Sequence, residues 1–202
     1  MDVATSVEQV KQFPDNYPWD CVEQLTLPDN LQVTIRPIRP DDAIRLQEGF
    51  QRLSARSRYL RFLETSNALS DKQASELSNL DYDRQMALVA ETTTDQGVIL
   101  IGVARYARLG PDQPDSAECA IVVADDIQQH GLGSLMMNRL GHYAAAHGIK
   151  MFVGTVHLTN AAILRFIKRA GLPYQRTIIE PGIWEVRVQL GDDPTHQPQD
   201  MA

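Results

Sequence analysis

Apolar positions along the chain follow two rhythms, one alternating and one close to helical. LQVTIRPI alternates, carries β-branched residues and stops at Pro40, which predicts a strand. Asp41 and Asp42 then open a helix in which Ile44, Leu46, Phe50 and Leu53 recur at roughly helical spacing. SARSRYLRFL supplies a second short helical segment, and a third starts at Ser70, where Gln73 stands three residues on in a capping-box arrangement. RQMALVAET and GVILIGVARYARL are apolar, β-rich runs separated by TTDQG, the pattern of an antiparallel hairpin, and SAECAIVVAD reads as a further strand.

Downstream, Leu132, Leu135, Met136, Leu140, Tyr143 and Ala144 share one helical face, and Gly148 is placed to close that helix. KMFVGTVHL is a strand, Asn160 opens the helix AAILRFIKRA, and two strands follow around QRTIIE and IWEVRVQL. This order implies an α/β domain with a mixed, largely antiparallel sheet flanked by helices. The domain is expected over residues 31–190. Residues 1–30, with Pro14, Pro18 and Pro28 and no sustained period, read as a mostly irregular arm, and 191–202 as a disordered tail.

Composition narrows the classes. The 202 residues suit one domain, and 19 Lys+Arg against 26 Asp+Glu give a net charge of -7. That balance argues against a nucleic-acid partner, whose phosphates call for clustered cations. Cys21 and Cys119 belong to no disulfide framework or zinc cluster, and His142 and His147 are spaced so that they do not share a helix face, so no metal is expected. No signal sequence or apolar span is visible, which leads to the expectation of a cytoplasmic protein without a membrane partner.

The segment Gln128-Gln129-His130-Gly131-Leu132-Gly133-Ser134 joins the strand ending near Val123 to the amphipathic helix. A strand, a glycine turn and a helix start make a phosphate-binding context. Gly131 and Gly133 permit close backbone approach, and the free N–H groups and positive dipole end of the helix favour an anion. A Walker loop is excluded because GxxxxGK[ST] is absent, and Met136 stands where a dinucleotide fingerprint needs its third glycine. The segment does match [QR]xxGx[GA], and so resembles the pyrophosphate loop of the GNAT superfamily of acyl-CoA-dependent N-acyltransferases. AECAIVVAD before the loop, Asn160 opening the next helix after a strand, and Gly171 closing it eleven residues later follow the same order. TIRPIRPDDA, LSARSRYLRFL, LDYDRQMALVAE, LIGVARY and AECAIVV together look like the acetyltransferase domain of bacterial Pat-type protein lysine acetyltransferases.

The resemblance implies a GNAT fold, acetyl-CoA as cosubstrate without a metal, and an amine acceptor such as a lysine of an acyl-CoA synthetase or another protein. It also implies a site. Glu118 matches the general base, which a lysine amine of unperturbed pKa about 10.4 requires. The backbone of Ile121, Val122 and Val123 would bind the pantetheine arm and polarise the thioester carbonyl. Residues Gln128 to Ser134 would hold the pyrophosphate, and Asn160, also a natural helix N-cap, would contact the cofactor. Many GNAT enzymes carry a Tyr general acid where this chain has Ile167, which leaves that step unassigned and Tyr174 as a spatial alternative. Cys119 reads as a small buried strand residue. Two other readings stand beside this one: the same chemistry on a small-molecule amine, and a noncatalytic acyl-CoA-binding sensor module.

Overall fold

The computed structural model describes residues 13–63 and 68–191. Residues 1–12 of the expected arm and 192–202 of the expected tail lie outside the described residues. The strands are β1 Glu23–Leu27, β2 Leu31–Pro37, β3 Gln85–Thr94, β4 Gly97–Arg108, β5 Ser116–Val123, β6 Met151–His157, β7 Tyr174–Glu180 and β8 Ile183–Gln189. The helices are α1 Ala43–Arg52, α2 Ala55–Phe62, α3 Asp71–Ser78, α4 Leu132–Ala146 and α5 Ala161–Arg169. All eight strands form one sheet in the order β1-β2-β3-β4-β5-β6-β8-β7. Neighbours are antiparallel except β5 and β6, which α4 links as a crossover.

β1 departs from the expected irregular arm. Its five residues pair antiparallel with β2, and the chain before it packs inward: Tyr17 is buried and donates to the Pro37 carbonyl at 2.8 Å. Elsewhere the local signals hold. Ser70 caps α3 in a reciprocal box with Gln73, and α1 buries Leu46 and Phe50 while leaving Ile44 exposed. Leu132, Met136, Leu140 and Ala144 of α4 are buried against the sheet. The approach there is close enough that a Cβ on Gly102 of β4 would lie 2.9 Å from the Met136 sulfur.

A buried ion network ties β2, α1 and β3 together. Arg36 donates to both oxygens of Asp42, at 2.7 and 2.8 Å, and to Glu91 at 2.6 Å. Asp42 also accepts from the Arg39 N–H at 2.8 Å and from Arg45 at 3.1 Å. A buried charge is tolerable when its lone pairs are filled in this way. On the far side, Val156, Ile167 and Val186 form a second small core under α5. Among the described residues no helix is long and apolar enough to cross a membrane.

Candidate functional site

The parallel pairing of β5 with β6 is short. It runs from Ser116 opposite Met151 to Glu118 opposite Val153, after which β5 continues to Val123 and β6 to His157 without pairing to each other. The strands part at Glu118. Between them opens a cleft of about 770 Å³, lined by Cys119 and Ile121 of β5, Gly154 and Val156 of β6, and residues of α4 and α5. Tyr59 of α2 meets His157 of β6 with ring centroids 5.6 Å apart, so α2 spans the gap on one side.

The loop from β5 to α4 lies at one end of this cleft. Gln129 has φ +73° and Gly131 φ +83°, a left-handed conformation that glycine adopts without strain. Gly131 is the N-cap of α4 and offers no side-chain cap, and the first turn carries no acid. The N–H groups of Leu132, Gly133 and Ser134 therefore precede the first intrahelical bond, which Leu135 donates to Gly131, and they form a positive helix terminus. A Cβ on Gly133 would meet Ile121 and Val123 only at 3.5 and 3.6 Å.

Not every loop side chain faces the cleft. Ser134 and Asn160 line it, and the Asn160 oxygen also caps α5 by accepting from the Ile163 N–H at 3.2 Å. The Gln128 side chain instead holds the loop, donating to the Val123 carbonyl at 3.1 Å. His130 turns toward the β1–β2 turn, its Nε2 3.5 Å from Asp29 and its Nδ1 3.0 Å from the Gln128 carbonyl. Gln129 is exposed. Leu132 and Val123 have buried side chains and Val122 borders a cavity on the opposite face of the sheet, so these three can offer the cleft only their backbone.

Glu118 is exposed on β5, at the point where the strands separate. Its neighbour Cys119 lines the cleft, but burial, then the adjacent Glu118 charge, pushes its thiol pKa up to about 12, which disfavours a thiolate nucleophile. Ile167 is buried and Phe166 lines the cleft in the region where a tyrosine acid would be sought. Tyr174 does not replace it: it lies on β7, in a shallow cavity between α5 and β7. Among the described residues no His, Cys, Asp and Glu group is arranged to hold a metal.

Two features escaped the sequence reading. Asp125, just after β5, accepts from the Ser54 N–H at 2.8 Å, the Ser54 hydroxyl at 2.9 Å and the Ser57 hydroxyl at 2.6 Å. This latch joins the glycine loop to the start of α2. Burial opposes ionisation of Asp125, and the donated hydrogen bonds outweigh it, so its pKa lies below the usual carboxylate range. The second feature is a pair of arginines near Glu118. Arg105 is depressed to about 10 by burial and then by the like charge of Arg61, with Glu118 opposing. Arg61 is also lowered, chiefly by burial. A partner 68 to 71 residues away leaves no local signal, and Arg61 sits in a block, LSARSRYLRFL, that reads as ordinary helix.

Residues 32–173 match the acetyltransferase (GNAT) domain family. An acetyltransferase of Pseudomonas aeruginosa is 31% identical over 151 residues, covering 75% of this chain and 80% of that protein. The acetyltransferase Pat of Mycolicibacterium smegmatis is 28% identical over 82% of this chain, which spans 48% of that protein's length. The GNAT domain of S. lividans PAT superposes with a TM-score of 0.76 at 28% identity, covering 86% of this chain and 99% of that one. The Salmonella typhimurium protein yncA, solved with its cofactor acetyl-CoA, shares the fold at a TM-score of 0.63 and 19% identity, covering 84% and 99%. The mixed, mostly antiparallel eight-stranded sheet flanked by helices is the fold of these neighbours. The chain belongs to the GNAT acetyltransferase family, enzymes that use acetyl-CoA as cosubstrate.

Proposed function

We propose that the protein transfers the acetyl group of acetyl-CoA directly to a lysine of a protein acceptor, with Glu118 as general base. The observation that carries this reading is the separation of β5 from β6 just after Glu118, which opens a cleft whose lining begins at the next residue, Cys119, and leaves the facing edges of the two strands unpaired. The pantetheine arm lies along the backbone of Ile121, Val122 and Val123. The pyrophosphate rests on the N–H groups at the start of α4, within the loop Gln128 to Ser134, and Asn160 flanks the arm from α5. In the reaction, the neutral amine attacks the thioester carbonyl as its proton passes to Glu118, directly or through water. A backbone N–H of β5 stabilises the oxyanion. The C–S bond then breaks and CoA leaves as a thiolate, which a thiol of pKa ~8.5 allows without a dedicated acid. A protein lysine is favoured by similarity to Pat and to the S. lividans PAT domain. Cytoplasmic action on a cytoplasmic acceptor accords with this reading.

Free-thiol release and acetylation mapping on an acyl-CoA synthetase test the proposal. Glu118→Gln should lower turnover by about two to four orders of magnitude while leaving acetyl-CoA affinity unchanged. Near-parental turnover would remove Glu118 from the mechanism. Transfer to free amines alone would overturn the lysine acceptor, and binding without acceptor-dependent release would favour the sensor module.

A further inference from the structure

Glu118 has cationic company on the acceptor side of the sheet. In the antiparallel register Glu118 stands opposite Ala107 and Ala120 opposite Arg105, so Arg105 is the diagonal neighbour of Glu118 on one face. Arg61, in the last turn of α2, reaches the same region. Both arginines line a cavity of about 70 Å³ that is otherwise mostly apolar, with Phe50, Leu53, Val103 and Val122 in its wall. Arg61 also borders the main cleft beside Cys119 and Ala120, so it stands at the opening that joins the two faces.

The charges there do not balance. Arg36, Arg139 and Arg187 each hold a carboxylate, at 2.6, 2.9 and 2.7 Å. Among the described residues neither Arg61 nor Arg105 forms such an ion pair. Arg105 donates to the Gln85 side-chain oxygen at 3.3 Å, and the Arg61 guanidinium lies over the Phe62 ring, 4.7 Å from its centroid. Among the described residues two guanidiniums thus face the single charge of Glu118; burial lowers the pKa of both, and the like charge of Arg61 lowers that of Arg105 further. Half-buried arginines are ordinarily paired, because a guanidinium taken from water needs an anion in exchange. A planar fork is also well matched to a carboxylate.

We propose that Arg61 and Arg105 form an acceptor subsite for a carboxylate standing beside the amine that is acetylated, which in a protein acceptor is an Asp or Glu next to the target lysine. The same chemistry would be supplied by the α-carboxylate of a free amino acid. The subsite rests on the reading that the acceptor amine meets Glu118, and equilibrium binding tests it without turnover.

Two ligand pairs are titrated calorimetrically into the full chain loaded with CoA. One is an Nε-acetyllysine peptide with Glu or Gln beside the acetyllysine; the other is an Nα-acetyl amino acid and its carboxamide. The carboxylate member of at least one pair should bind about tenfold more tightly or better, with the preference shrinking below about twofold in Arg61→Met and Arg105→Met. Arg61→Lys and Arg105→Lys, which keep the charge, should retain part of it, and acetyl-CoA affinity should not move in the Arg105 variants. Equal binding within both pairs, or a preference that survives both Met substitutions, overturns the subsite. The comparison in the parent protein decides the matter if a variant fails to fold. Preference in the amino-acid pair alone supports the subsite and overturns the protein-lysine acceptor. Failure to acetylate any amine, measured in parallel, counts against the proposed function and leaves the binding result readable.

Discussion

At Asp42, one carboxylate holds three structural elements in register. Burial works against its ionisation, and the hydrogen bonds and charge of Arg36 outweigh burial, so its pKa in the folded protein is depressed. A depressed carboxylate adds stability above its unfolded pKa of ~3.9, and that contribution disappears as pH falls through the folded value. Asp42→Asn should therefore destabilise the protein by about 3 kcal/mol at neutral pH, since it leaves buried Arg36 with Glu91 alone. Urea midpoints measured from pH 7 downward should show the gap between variant and parent closing below about pH 4. A constant gap would show that the charge is not responsible. Packing sets a second limit nearby. Gly102→Ala drives a methyl against the Met136 sulfur and should cost about 1–3 kcal/mol in the same assay, whereas no loss would mean that the Met136 side chain swings aside. Residue identity in the loop was readable from the sequence, but orientation was not. The motif includes His130 and Gln128, yet one ring turns to Asp29 and the other side chain is occupied by the Val123 carbonyl. Periodicity cannot specify a rotamer.

Among elements, the latch between α2 and the glycine loop couples two surfaces that the fold could have left independent. Asp125→Ala removes three accepted hydrogen bonds and frees both the loop and the α2 start. Acetyl-CoA binding should weaken by roughly tenfold, equivalent to ~1.4 kcal/mol, as read by titration calorimetry. Ser57→Ala should weaken it less, and the double variant should fall short of additivity because both act on one network. Strict additivity would refute the coupling. Long segments with a strong period were legible in the sequence: the β3–β4 hairpin, α4 with its buried stripe, and α3 with its capping box. β1 was not. Five residues offer too little alternation to stand out, and Pro18 and Pro28 on either side read as loop. Its strand character comes from pairing with β2, a partner that only the folded chain supplies.

For the molecule as a whole, the cleft divides the sheet into β1 to β5 and β6 to β8, with three paired positions between them. A ligand lying in that cleft touches both parts. At a hundredfold excess over its dissociation constant, acetyl-CoA should stabilise the fold by ~2.7 kcal/mol. For a chain of this size that is roughly 5–11 °C in melting temperature, measurable by differential scanning fluorimetry. No shift would mean that acetyl-CoA does not bind the folded protein at that concentration. The narrow junction also has a temporal consequence. Residues 151–189 are contiguous in sequence and carry β6, α5, β7 and β8 with their own small core, so they constitute a unit that can open while the rest stays folded. Amide exchange should then be faster in that block than in β3 and β4, and it should slow across the whole block together once acetyl-CoA is bound. The cosubstrate would thus act as a reversible weld between a stable body and a breathing flap.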